Sequence, residues 1–171
     1  MKTYLIPEVV ESLNDLLCMF FKCNSIADNI AYDLEVDKNC PNASDFYHHN
    51  IAHWFTGDDA ADKLSAIMIK MNARPVRKSF DGDEKRYSSV SDMFRVNLAM
   101  FEGLAEKLQE IIEVCDYDRK NKYLVIELEN MMESVQDKIR IANIWLDKVI
   151  LYEEKDKMYA FDEDFEDFVK M

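Results

Sequence analysis

The stretch RPVRKSFDGDEKRYSS, residues 74–89, interrupts an otherwise helical sequence near its middle. It is polar and contains both Pro75 and Gly82, a composition that favours a loop over a helix. On both sides of it, apolar residues recur at intervals of three and four over long distances, which is typical of amphipathic helices. We therefore predict that this stretch connects two pairs of helices.

Two shorter breaks, DKNCPNASD (37–45) and DYDRKN (116–121), divide the flanking sequence further. They leave four helical segments, at about 7–36, 45–73, 89–115 and 122–154. Short links join antiparallel neighbours, whereas one long middle link lets the third helix start at the end where the second began. The sequence thus predicts an all-α, antiparallel four-helix bundle with one long crossover between helices 2 and 3.

The last part of the chain differs in composition from the bundle. Residues 153–171 hold eight acids against three lysines, together with Tyr159, Phe161, Phe165 and Phe168. We predict a bundle domain over 1–154 and an acidic, aromatic C-terminal tail over 155–171. The aromatic residues favour a short docked helix over a disordered segment.

Charge and hydropathy exclude several classes of function. The net charge of −13 argues against binding nucleic acid through a general basic surface, because phosphate contacts require Lys and Arg. The sequence has no apolar run of the roughly 18 residues that a membrane span needs, so no membrane partner is expected. It also has no basic and apolar leader, which predicts a cytoplasmic protein. Sequence motifs for phosphate binding or nucleophilic catalysis are absent.

A second set of apolar positions predicts self-association. Met19, Ile26 and Ile30 form a line on the first helix opposite its expected core face, and Met93, Val96 and Met100 do so on the third. One apolar stripe fills a bundle core, so a second stripe needs another cover. We expect the tail to cover one line, and the rest predicts a homo-oligomer.

The helix lengths, the loop pattern and the placing of acids over about 7–152 resemble the ferritin-like superfamily of ferritins, bacterioferritins and Dps-type mini-ferritins. The fragment AHWFTG (52–57) is similar to the AHW-x-x-x-G stretch of Dps proteins, with a gap to glycine that is one residue shorter. The resemblance implies binding of iron, as a di-iron centre, or of a similar divalent metal. If the chain is an enzyme, it implies a ferroxidase-type oxidoreductase serving iron oxidation and storage.

Metal sites of this superfamily take a carboxylate from each of two helices and a Glu-x-x-His motif from each of the others. The positions that correspond are Asp28, Asp59-x-x-Asp62, Glu102 and Glu133-x-x-Gln136. Asp28 precedes Asp59 by 31 residues, and Glu102 precedes Glu133 by the same 31. Neither motif carries its histidine, and the Dps-type spacing of downstream ligands is missing as well.

Helical phase provides an independent test of these candidate ligands. At about 100° per residue, Asp28, Asp58, Asp62 and Glu102 fall within or beside the core-facing stripe. Asp59 and Glu133 point further out, and Gln136 only flanks the stripe. Buried unpaired carboxylates are costly, so inward acids predict either a bound cation or protein partners.

The chain's three histidines, His48, His49 and His53, all lie in HHNIAHWFTGDDAADKL (48–64). His49 and His53 have the i, i+4 spacing of a surface metal site, but both are expected on the outer face without a third ligand. We therefore expect the neighbouring aspartates, rather than the histidines, to bind any ion. The alternative hypothesis is a ferritin-like bundle without a functional metal site that acts as a structural or protein-interaction module.

Overall fold

A computed structural model describes residues 2–116 and 119–170 of the chain. In chain order its helices are α1 Pro7–Val36, α2 Pro41–Phe46, a π-helix Tyr47–Ala52, α3 His53–Thr56, α4 Ala61–Lys70, α5 Val90–Cys115, a 3-10 turn Arg119–Asn121, α6 Lys122–Glu154, α7 Met158–Phe161 and α8 Phe165–Val169. No strand occurs within the described residues. The predicted all-α bundle is confirmed, and α1 and α6 have the predicted bounds.

The predicted crossover runs beside α1. At its start, Thr3 Oγ1 donates a hydrogen bond to the Met71 carbonyl (2.9 Å), which places the end of α4 next to the start of α1. Side chains from α1 and the turn after it then bind the crossover backbone in sequence: Asn14 contacts Arg74 and Val76, Asn29 contacts Asp83, and Lys38 contacts Ser88. The crossover therefore returns the chain to the far end of the bundle, where α5 begins.

Ser89 ends the crossover and caps α5. Its side chain accepts a hydrogen bond from the Asp92 backbone N–H (3.1 Å), which satisfies one of the unpaired donors of the first helical turn. This agrees with the predicted helix start. Glu153 of α6 accepts from the Ser91 N–H (3.0 Å) at the same end, so α5 and α6 are antiparallel.

The second predicted helix, 45–73, is not continuous. It consists of α2, the π-helix, α3 and α4, with a break over 57–60 between the last two. Gly57 is extended there (φ −88°, ψ −166°), and glycine and aspartate are weak helix formers. A Cβ on Gly57 would lie 3.2 Å from the His53 carbonyl oxygen, so a larger residue would crowd this bend.

The second apolar lines of helices 1 and 3 are covered within the single chain. Ile30 and Met93 are fully buried, Met100 is 8% exposed, and Met19, Ile26 and Val96 are partly buried against the same core. Because α5 packs against both α1 and α6, more than one of its faces is inside the bundle. These lines are therefore no evidence for a second copy, and homo-oligomerisation stays a prediction.

The C-terminal tail docks on the bundle. Phe161, Phe165 and Phe168 are buried, and their rings pack edge-on against aromatic residues of the helices, such as Phe94 of α5 and Tyr152 of α6. Phe161, Phe165 and Phe168 thus belong to the main core. No helix among the described residues is long and apolar enough to cross a membrane.

Asn97 of α5 supports a prediction about stability. It is fully buried, and neither its amide nitrogen nor its amide oxygen has a partner among the described residues. Leucine has the same branched side-chain skeleton as asparagine and has no polar atoms to desolvate. We expect Asn97→Leu to raise the free energy of unfolding by about 1–3 kcal/mol, measured by urea denaturation.

Asn14 is the matched control for this substitution. It is also buried, but its amide donates to the Arg74 carbonyl (3.2 Å) and accepts from the Val76 N–H (2.7 Å). Asn14→Leu should therefore lower the free energy of unfolding, because it leaves two backbone groups without partners. Equal effects of the two substitutions would contradict the interpretation of Asn97.

Candidate metal centre

The three histidines converge because the helix that carries them is a π-helix over part of its length. The His53 N–H donates to the His48 carbonyl, an i, i+5 hydrogen bond that defines the π-turn. In a regular α-helix these two residues would lie about 140° apart around the axis. The wider π-turn brings them onto the same side, next to His49.

One ring nitrogen from each of His48, His49 and His53 lies within 4.8 Å of the others. Among the described His, Cys, Asp and Glu residues, this is the group of three or more whose ligand atoms converge. Nitrogens bound to one tetrahedral Zn²⁺ at 2.0–2.1 Å are roughly 3.3 Å apart, so modest side-chain rotations would close the site. His49 and His53 are exposed, so such rotations meet little resistance from packing.

A side chain of α1 completes the π-turn. Asn24 donates a hydrogen bond from Nδ2 to the carbonyl of Ala52, the last residue of the π-helix (2.8 Å). A π-turn disturbs the i, i+4 ladder and leaves a carbonyl in need of another donor. Tertiary packing on α1 thus stabilises the local geometry that brings the histidines together.

Asp28 of α1 orients one of the three rings. Its Oδ1 lies 2.7 Å from His48 Nδ1, and its side chain is only 23% exposed. An ionised carboxylate can only accept, so Nδ1 carries the proton and Nε2 is free to bind a metal. Such carboxylate–histidine pairs are the usual support of metal-bound imidazoles. In this structure Asp28, which we predicted to be a ligand, contacts the His48 ring.

His49 has a similar but weaker partner. Its Nε2 lies 3.2 Å from Asp45 Oδ1, one helical turn earlier, and both side chains are largely exposed. This contact leaves His49 Nδ1 as the nitrogen available to a metal. The two carboxylates add negative charge beside the cluster, which favours a bound cation.

The other predicted ligands lie on the surface. Asp58, Asp59, Asp62, Glu102, Glu133 and Gln136 are all exposed. The expected inward placing of Asp58, Asp62 and Glu102 is wrong. Asp58 lies within the break at 57–60, and the break shifts the helical phase of Asp62. On α5, Phe101 and Leu104 occupy the interior, and Glu102 between them faces solvent.

Asp59 faces a cation of the protein. Burial lowers the pKa of Lys138 on α6, and the nearby carboxylates of Asp59 and Asp137 act in the opposite direction. The Lys138 ammonium also lies 5.7 Å from the centre of the Trp54 ring. Asp59 therefore lies near a half-buried ammonium and favours its charged form.

The bundle interior contains no buried acid among the described residues, since its buried polar side chains are Asn14, Ser44, Ser91, Asn97 and Asn121. Most of the thiols are unsuited to metal binding as well. Burial raises the pKa of Cys23 to about 12 and those of Cys40 and Cys115 to about 11. A thiolate is the form that binds metal, so these three remain inert thiols at neutral pH.

Comparison with solved structures identifies the class of fold. The chain is similar to the ferritin of Chlorobium tepidum, with a TM-score of 0.81 over 95% of this chain and 96% of that chain, at 10% sequence identity. At this identity the similarity shows a ferritin-like helical bundle and no more. Neither family models nor curated protein sequences match the chain.

Sequence reasoning missed the proximity of His48 to His53. In a regular α-helix, with a rotation of about 100° per residue, His48 and His53 lie on different sides of the helix. Only the π-turn brings the two side chains together. The one available signal was the clustering of all three histidines within six residues.

Proposed function

We propose that this chain is a ferritin-like protein that binds one divalent transition-metal ion at His48, His49 and His53. The observation that carries the proposal is the convergence of three ring nitrogens within 4.8 Å. The Asp28–His48 pair supports it, because that contact holds one imidazole with Nε2 directed away from the carboxylate. The exposure of His49 and His53 gives a metal ion direct access from solvent.

The ligand chemistry favours particular metals. Imidazole suits Zn²⁺, Cu²⁺, Ni²⁺ and Fe²⁺, whereas Mg²⁺ and Ca²⁺ prefer carboxylate and carbonyl oxygens. The ferritin-like fold supports iron among these. A di-iron centre would need several convergent carboxylates, and the exposed positions of Asp58, Asp62 and Glu102 do not favour one. We therefore propose that the three histidines bind a single metal ion. Iron oxidation and storage would need a second metal site.

The test is a calorimetric titration of the metal-free chain with Zn²⁺ and, without oxygen, with Fe²⁺. We expect saturation at one ion per chain for the imidazole-binding ions and no saturable heat for Mg²⁺. Metal binding to imidazole competes with protons, so the affinity should be lower in acid than at neutral pH. Absence of saturable binding by every transition metal would refute the proposal.

A second candidate is a structural or protein-interaction module without a metal. It is favoured by the lack of any buried acid in the described part of the bundle interior, where ferritin-like metal ligands would lie. In that case the purified chain should hold no stoichiometric metal, and metal addition should leave its melting temperature unchanged. The titration above therefore separates the two candidates.

A further inference from the structure

The C-terminal tail reaches the helix that leads into the metal centre. Both carboxylate oxygens of Asp162 accept backbone hydrogen bonds from the start of α2, Oδ2 from Asn42 N–H (3.1 Å) and Oδ1 from Ala43 N–H (2.9 Å). The Asn42 side chain donates back to the Asp162 carbonyl (3.0 Å). Cys40, the residue at the cap position, provides no side-chain cap of its own. The first turn of α2 is therefore capped by a residue 120 positions away.

Aromatic packing makes a second connection. Phe46, the last residue of α2, packs edge-on against Phe165 of the tail (ring centres 5.4 Å apart) and against Trp145 of α6 (5.0 Å). The tail thus contacts both ends of α2. The helical run that α2 begins, 41–56, is short and contains a π-turn, so it is not expected to hold its shape without such contacts.

The chain passes from α2 into the π-helix without a break. Tyr47 follows Phe46 directly, and His48 and His49 follow Tyr47. Asp45, which contacts the His49 ring, belongs to α2 itself. Any fraying of α2 would therefore displace two of the three imidazoles and one of the carboxylates beside them.

We propose that Asp162 and the docked tail position the three-histidine centre by holding α2 in place. This rests on the proposed metal binding, and Asp162 acts through the backbone of α2 rather than by contact with the ion. The reciprocal effect follows from linkage: a ligand that binds the ordered α2 and π-helix also stabilises the docked tail.

The test compares Asp162→Asn with Glu163→Gln. Both remove one negative charge at neighbouring positions, but Glu163 is exposed, whereas Asp162 caps α2. We expect Asp162→Asn to weaken metal binding by about tenfold, as for residues that orient metal ligands. It should also change the visible absorption spectrum of the Co²⁺-loaded chain. Glu163→Gln should leave both unchanged, and Asp162→Glu should recover part of the affinity.

Hydrogen exchange of the metal-free chain provides a readout that does not depend on metal. In Asp162→Asn, backbone amides over 43–53 should exchange faster, while those in the middle of α5 keep their wild-type rates. Wild-type metal affinity together with unchanged exchange over 43–53 would overturn the positioning role. If exchange over 43–53 is faster in Asp162→Asn but the wild-type chain binds no metal, the proposed function is refuted. The docked tail would then stabilise α2 without positioning a metal centre.

Discussion

Replacing both His48 and His53 by alanine is expected to abolish stoichiometric metal binding. The double variant keeps one imidazole, and a single exposed histidine does not hold a divalent ion at micromolar concentration. The expected loss of affinity is at least about 100-fold, since removing even residues that only support metal ligands costs 10- to 100-fold. Titration calorimetry with Zn²⁺ measures it. Circular dichroism should show nearly unchanged helix content, because His53 is exposed and His48 is partly exposed.

The matched control for this experiment is Asp58→Ala combined with Asp62→Ala. The two aspartates lie shortly after the histidines in sequence, and they are two of the four acids that helical phase predicts to face the core. Their exposed positions in the structure lead us to expect wild-type affinity. Loss of binding in the aspartate pair, with retention in the histidine pair, would restore the carboxylate hypothesis.

Replacing Phe161 by alanine is expected to lower the free energy of unfolding by about 3–5 kcal/mol, the usual cost of truncating a fully buried phenylalanine. Phe161 is fully buried, and its ring contacts those of Phe165 and Phe168 in the tail (centres 5.5 and 5.1 Å apart) and that of Tyr152 on α6 (5.7 Å). The alanine variant would leave a cavity where the tail meets the bundle. Urea denaturation followed by circular dichroism measures the change.

Tyr159 provides the control for Phe161. It lies two residues earlier in α7, and it is 83% exposed. Tyr159→Ala should change the free energy of unfolding by no more than about 0.5 kcal/mol, as is usual for exposed positions. If Phe161→Ala also had so small an effect, the tail would not be part of the folding unit, and the positioning role of Asp162 would lose its basis.

Much of the fold could be predicted because it depends on local patterns. Pro7 at the first turn, the Ser89 cap and the periodicity of α6 are each visible in short windows of sequence. The crossover could be located because its polar residues have no helical spacing. The interruption at Gly57 was harder to foresee, since apolar residues recur on both sides of it and a single glycine often lies within a helix.

The candidate site could be predicted only in part. The segment that holds the histidines was evident, and Asp28 was predicted to be a metal ligand. The contact between Asp28 and the His48 ring was not predicted, because the direction of that ring depends on the π-turn. Asp162 gave no signal, since nothing in its local sequence shows that it caps a helix 120 residues earlier.

The amino-acid sequence by itself determined α1, α5, α6, the crossover and the helical bundle, because apolar periodicity and loop composition are local features of the chain. Only the tertiary structure decided which side chains converge at the proposed metal centre. The Asn24 contact with the Ala52 carbonyl and the Asp28 contact with His48 both come from α1. They stabilise a π-turn and one ring orientation that the segment around His48 does not specify alone, because a π-helix lacks intrinsic stability and needs such partners.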